Sequence, residues 1–314
     1  MGEHWRCAVC ADVRLGRSAG TVLAGALALT PGSGWSHSGT APDPALHWNF
    51  DPLVTMLLGL AAALYGIGTA RLWARAGRGR GINARHAAAF ATGALVTAAA
   101  LVSPLDDFGS RSLWGHMVQH GLLMLLAAPL FVCARPLQAW TWALEPAWRR
   151  SAGTAARWTG LRAAWRGISA PIPAWLLHAA VLWTWHAPAL FQAALTSNAV
   201  HTLQHTSFLA AALLYWWSVI GSAARGRGHG AAAASLFTTM LHTGMLGALL
   251  TFSGRVWYPA YAAGAGGVAL ALEDQRLAGL IMWIPGGFVY MLAALAIAAH
   301  GLSQGLGGAA APRA

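Results

Sequence analysis

Charged residues are scarce in this chain. Only 9% of its 314 residues are charged, the acids number nine, and all 20 basic residues are arginine, so the sequence contains no lysine. A soluble globular domain carries about 25% charged residues. Because 57% of the chain is hydrophobic instead, the composition excludes an ordinary soluble domain. It predicts an all-α polytopic membrane protein.

Cysteine is also rare. Cys7 and Cys10 form a lone Cys-x-x-Cys in a segment that resembles a targeting sequence, and Cys133 lies at the end of a hydrophobic run. This number and spacing predict no disulfide framework.

The N-terminal segment has the order of a secretory signal. Arg14 and Arg17 precede an apolar core at 19–29, which is too short to span a bilayer. We therefore expect residues 1–36 to be a signal peptide or a weak anchor, and residues 37–52 to be a polar extracytoplasmic lead.

Seven apolar runs follow, each long enough to cross a bilayer as a helix. They predict a seven-helix membrane domain at 53–300 and a cytoplasmic tail at 301–314. The predicted spans are 53–73, 84–102, 113–134, 173–190, 200–220, 231–252 and 277–299.

The arginines are distributed unequally between these spans. Fourteen lie in the loops after spans one, three and five and in the tail, against Arg111, Arg255 and Arg276 in the other loops. The positive-inside rule then predicts an outside N-terminus and a cytoplasmic C-terminus. The excess of basic charge is explained by this topology and by contact with anionic lipid headgroups, so the sequence predicts no nucleic-acid surface. The loop at 135–170 mixes Trp with Arg, which predicts an amphipathic helix in the inner headgroup layer.

Histidine is concentrated in the predicted outer half of the bundle. Ionisable groups are costly in a bilayer and by default mark a functional site. Two pairs in the set are four residues apart, which places each pair on one helix face. The candidate metal ligands are His116, His120, His186, His201, His205 and His242.

These imidazoles predict a transition-metal site open to the extracytoplasmic side. Imidazole with thioether suits copper, whereas imidazole with carboxylate suits zinc, so copper is the expected ion and zinc the alternative. We expect His116, His120 and His205 to be the main ligands. His186 and His242 would complete the site or relay the ion.

Five neighbouring residues are candidates for further contacts: Met117, Met245, Met282, Asp106 and Asp274. Met245 and Met282 would favour Cu(I), and Asp274 would orient a ligand. Each has a structural alternative, since methionine often only packs and the two acids could cap spans three and seven. His201 could form only interfacial hydrogen bonds, and we expect His86 and His178 to be structural.

Two other functions fit the same residues. A zinc hydrolase similar in outline to seven-helix ceramidase-like enzymes would use three imidazoles, with Asp106 or Asp274 as base. A b-type cytochrome would use facing histidines, such as His120 and His205, as axial haem ligands. The scarcity of acids and the confinement of histidine to one half favour a non-enzymatic metal carrier over both.

Several short motifs are distributed between residues 48 and 283. They are Ser-Pro-Leu-Asp at 103–106, His-Met-x-x-His at 116–120, Ala-Pro-Leu at 128–130, Trp-His-x-Pro at 185–188, Gln-His at 204–205, Tyr-Trp-Trp at 215–217, and Asp-Gln-x-Leu-Ala-Gly at 274–279 followed by Met-Trp at 282–283. Together they resemble the CtaG-type assembly factors of caa(3)-type cytochrome c oxidase. The resemblance implies a multi-pass protein of the bacterial plasma membrane that supplies copper to the oxidase. Cytochrome c oxidase subunits are then the expected partners, with a periplasmic copper chaperone as a candidate donor.

Overall fold

The computed structural model describes residues 45–224, 228–264 and 266–309. Every regular element in these ranges is a helix. The predicted signal or anchor at 1–36, the first half of the polar lead and the last residues of the tail lie outside them.

The helices follow one another with short connections. They are α1 Pro52–Ala76, α2 Ala84–Leu101, α3 Pro104–Arg111, α4 Leu113–Gly121, a π-helical turn Leu122–Ala127, α5 Ala128–Ala134, α6 Pro136–Ala143, α7 Pro146–Ala155, α8 Thr159–Ile168, α9 Pro171–His186, α10 Pro188–Thr196, α11 Asn198–Ala224, α12 His229–Phe252, α13 Pro259–Gly264 and α14 Val268–Ala309.

Five helical segments are long and apolar enough to cross a membrane individually. They are α1, the continuous run Leu113–Ala134, α11, α12 and α14. Two bent pairs, α2 with α3 at 44° and α8 with α9 at 62°, bring the number to seven if each pair is one span. The chain is therefore a multi-pass membrane protein, and the count of seven and the orientation stay predictions.

Two predicted span boundaries are wrong. In the region predicted as a span at 173–190, helix α9 ends at His186, because Pro188 disfavours the helical conformation at Ala187. Helix α10 then begins at Pro188. The span predicted at 277–299 is the middle of α14, which begins at Val268. Hydropathy marks only the apolar part of a helix, so it misses polar turns that continue beyond it.

The predicted amphipathic helix at 135–170 is also wrong as a single element. This loop folds as α6, α7 and α8, and α6 turns back along α1. The Trp140 indole N–H donates to the Ala61 carbonyl at 3.1 Å, and Ala139 is fully buried.

The π-helical turn lies within the third span and forms a hydrogen bond with α11. Pro129 has no N–H, and in a regular helix its ring would clash with the carbonyl four residues earlier. The turn widens instead, and the Ala128 N–H donates to the Leu123 carbonyl five residues back. The Trp216 indole N–H, from α11, donates to the Met124 carbonyl at 2.9 Å. The two helices that carry the histidine pairs are thus joined by a buried hydrogen bond.

Helices α12 and α14 cross with their backbones in close contact. A Cβ atom at Gly247 would lie 2.7 Å from the Gly279 carbonyl oxygen, so only glycine permits this approach. The largest buried apolar cluster lies between these helices, α5, α9 and α11, and includes Tyr215, Trp216 and Tyr290.

Candidate metal site

Three histidine side chains meet near one end of the bundle. His116 and His120 lie on the first turns of α4, and His205 lies on the second turn of α11. All three are buried, and one ring nitrogen of each lies within 4.8 Å of the corresponding nitrogens of the other two. Their ring centroids are 4.4 to 5.4 Å apart. We call these residues the three-histidine cluster.

The ring nitrogens of this cluster fit a metal ion. Metal–nitrogen bonds of about 2.0–2.1 Å place ligand nitrogens about 3.3–3.6 Å apart, which small side-chain rotations would achieve here. His116 Nε2, His205 Nε2 and both nitrogens of His120 are buried without a hydrogen-bond partner among the described residues. Buried polar atoms without partners are uncommon. A bound cation would satisfy one nitrogen of each ring.

His201 and His186 lie at the edge of the cluster. The His201 ring is 4.3 Å from His205 and 5.4 Å from His116 by centroid, and its side chain is only partly buried. The His186 ring is 6.1 Å from His120. His186 Nδ1 lies 2.7 Å from the Leu182 carbonyl oxygen. This bond requires a proton on Nδ1, so the buried Nε2 carries a free lone pair.

His242 does not lie with the other predicted ligands. Among the described residues its ring contacts are Trp175, at 5.6 Å, and His178, at 6.4 Å.

The three methionines are not arranged around the cluster. Met245 is 53% exposed, too exposed to share a buried pocket. Met117 packs in an apolar cluster with Leu113 and Leu250, and Met282 packs against the apolar clusters of the bundle.

Asp274 caps a different helix from the one predicted. It lies within α14, and its carboxylate accepts hydrogen bonds from the Ser112 hydroxyl and the Leu113 backbone N–H, both at 2.7 Å. These donors begin α4. The structural alternative for Asp274, that it caps span seven, is therefore excluded, because α14 starts earlier and places this residue beside the N-terminus of α4.

Asp106 does not cap span three, which was the structural alternative for this residue. It lies in the first turn of α3, where it accepts from Asn49 Nδ2 at 2.6 Å and from Gln119 Nε2 at 2.8 Å. Its charge also acts on His201. Asp106 thus orients the side-chain amide of Gln119, the residue that precedes His120 in the chain.

Sequence reasoning missed two glutamines in the site. Gln119 and Gln204 are fully buried, and neither amide atom of Gln204 has a partner among the described residues. A signal was present, because each glutamine is adjacent to a histidine of the cluster within an apolar run.

Two tyrosines after α12 were also missed. Tyr258 donates to the His186 carbonyl and Tyr261 to the Gly109 carbonyl, each at 2.9 Å. Burial raises the pKa of both hydroxyls, so they stay protonated and keep donating. No periodicity predicts these contacts, since the residues lie in a loop and a short helix.

The two other predicted functions need different arrangements. The carboxylates of Asp274 and Asp106 already accept two or more hydrogen bonds each from donors on other helices or loops. His120 and His205 have centroids 5.2 Å apart, with Phe208 4.4 Å from His120, which leaves no room for a haem macrocycle between them.

Comparison with known families decides the broad identity. A family model described as cytochrome c oxidase caa3 assembly factor (Caa3_CtaG) matches residues 63–304, well over half of the chain. The chain belongs to this family. The resemblance seen in the motifs is therefore confirmed, and the match includes the whole three-histidine cluster. No curated protein and no solved structure matches the chain.

Membership in the Caa3_CtaG family sets the general role. It makes the protein a cytochrome c oxidase assembly factor, implies an oxidase-related partner and suggests a role other than catalysis.

Proposed function

We propose that this assembly factor binds a copper ion at His116, His120 and His205 and delivers it to a subunit of the oxidase. The observation that supports this proposal most directly is the convergence of buried, unpartnered ring nitrogens within 4.8 Å of one another. The location we propose is the bacterial plasma membrane, with the cluster near its extracytoplasmic face.

The donor set favours Cu(I). Three neutral imidazoles leave the full charge of the ion inside a low-dielectric bundle, and the cost of burying charge rises steeply with its magnitude. A monovalent ion therefore costs less than Zn²⁺ or Cu²⁺. Imidazole is an accepted ligand for copper as well as for zinc, so the charge, not the ligand type, decides the preference.

The edge residues suggest how the ion enters. His201 is partly exposed and within ring contact of His205 and His116, so it can receive an ion and pass it inward. The nearby Asp106 carboxylate attracts cations to this opening. His186 offers a further nitrogen on the opposite side, next to His120. Ligand exchange among such neighbours allows release, which a carrier requires. A periplasmic copper chaperone is the proposed donor.

Elemental analysis of the purified protein tests the proposal. The His116→Ala/His120→Ala variant should lose one equivalent of copper per chain relative to the wild type. His300→Gln, a substitution elsewhere in the bundle, is the matched control and should lose none. In a deletion strain, the variant should leave the oxidase low in copper while the control restores it.

Two results would contradict the proposal. One is an unchanged copper content in the double variant. The other is stoichiometric zinc together with amidase turnover of lipid, which would support the hydrolase instead.

A further inference from the structure

A second pair of buried histidines lies deeper in the bundle. His178 is eight residues before His186 on α9, about 12 Å further along the helix axis. Its ring centroid lies 6.4 Å from that of His242, on α12. His178 is fully buried, and all four ring nitrogens of the pair lack a hydrogen-bond partner among the described residues. Since unpartnered buried nitrogens are uncommon, this pair points to an occupant that engages one nitrogen of each ring.

Aromatic rings surround the pair. Tyr215 packs against His178 at 4.7 Å, and Trp175 packs against His242 at 5.6 Å. The helices that supply all four residues, α9, α11 and α12, contain no Asp or Glu. The environment thus offers two neutral nitrogens and aromatic faces, which attract cations, but no carboxylate from these helices to balance a divalent charge.

The spacing suits two ligands on opposite sides of one ion. Each metal–nitrogen bond is about 2.0 Å, and each ring nitrogen lies about 1.2 Å from its ring centre, so a linear arrangement places the centroids about 6.4 Å apart. The observed separation agrees with this value. Linear coordination by two neutral ligands is a preference of d¹⁰ Cu(I), and a single positive charge is the least costly to bury here.

We propose that His178 and His242 form a second, two-coordinate Cu(I) site, separate from the three-histidine cluster. The proposal rests on the proposed function for the identity of the ion. Its geometry comes from different residues, so the two ideas can fail independently. The protein would then hold two copper ions, one near the end of the bundle and one deeper.

Anaerobic titration of the purified full-length protein with Cu(I), against a chromophoric Cu(I) chelator, measures the stoichiometry. The wild type should bind two ions per chain, and His178→Phe should bind one, because Phe fills the volume but offers no ligand. His242→Gln tests the same site at a partly buried position if the first variant fails to fold. His300→Gln is the control and should bind two.

X-ray absorption identifies the coordination. In the His116→Ala/His120→Ala variant the remaining ion should show the edge feature of two-coordinate Cu(I) with nitrogen ligands. Adding His178→Phe to that variant should remove it.

The outcomes separate the two proposals. A wild type that binds one ion, lost in the His116→Ala/His120→Ala variant, overturns the second site and supports the first. Two ions retained in both His178→Phe and His242→Gln also overturn the second site. If His178→Phe and His242→Gln each lose one ion while His116→Ala/His120→Ala loses none, the second site is supported and the three-histidine cluster is overturned as a copper site. A wild type that binds no Cu(I) overturns both.

Discussion

The carboxylate of Asp274 accepts a hydrogen bond from the backbone N–H of Leu113 at 2.7 Å. The same carboxylate accepts from the Ser112 hydroxyl, although about 160 residues separate the partners in the chain. A negative charge at a helix N-terminus is favourable, because the first backbone N–H groups point toward it. Helix α14 thereby holds the start of α4, and α4 carries His116 and His120.

Asp274→Asn should destabilise the protein and weaken copper binding. The substitution removes the charge but keeps the shape, so α4 loses the favourable interaction of a negative charge with its N-terminus, worth about 0.3–1 kcal/mol. Thermal unfolding in detergent should show a lower midpoint, and the copper affinity should fall several-fold. Glu273→Gln, at the adjacent exposed position, should change neither quantity. Equal behaviour of the two variants would show that the cap does not position the cluster.

Gly109→Ala should disturb the cluster from α3. A Cβ at this position would lie 2.9 Å from Gln119 Cδ and 3.4 Å from His116 Cα. Overpacking of this kind costs about 1–3 kcal/mol, and here it pushes on the helix that carries two ligands. We expect a lower unfolding midpoint and weaker copper binding. Gly59→Ala, where an added Cβ meets nothing within 4 Å, should be neutral or slightly stabilising.

Bound copper should be released on acidification. Only neutral imidazole coordinates a metal, so protons compete with the ion as the pH falls. Lowering the pH therefore favours release, and raising it above about 7 should change little. Because up to three protons replace one ion in the cluster, occupancy should fall more steeply than for a single ligand. Equilibrium dialysis at successively lower pH measures this. Occupancy that stays constant down to the pH at which the apoprotein itself unfolds would argue against imidazole ligation.

Reporter fusions test the predicted topology. Alkaline phosphatase folds only where its disulfides form, outside the cytoplasm. Fusions after Arg111 and Gly254 should be active, and a fusion after Ala224 should be inactive. A cytoplasmic fluorescent reporter at the same three positions should give the opposite pattern. An inactive phosphatase after Arg111, with the other two as expected, would mean that neither bent pair crosses the membrane and that only five helices span it.

The helices and the site residues were predictable to different degrees. The run at 113–134 was predicted with its observed limits, because length and hydropathy suffice for a lipid-embedded helix. The ends of α9 and α14 were not, since one depends on a proline and the other on polar turns outside the apolar stretch. The separation of His242 from the cluster was also unpredictable, because depth along a helix says nothing about the direction its side chain faces.

The sequence by itself determined that the chain is a helical membrane protein, that it resembles an oxidase assembly factor, and that histidines accumulate on its third, fourth and fifth spans. Helical periodicity and the cost of charge in lipid are local properties, readable from the order of residues. Only the tertiary structure decided which imidazoles share a pocket, that Asp274 caps a helix distant in the chain, and that His178 faces His242. Those relationships depend on how helices rotate and cross, which packing among distant segments determines.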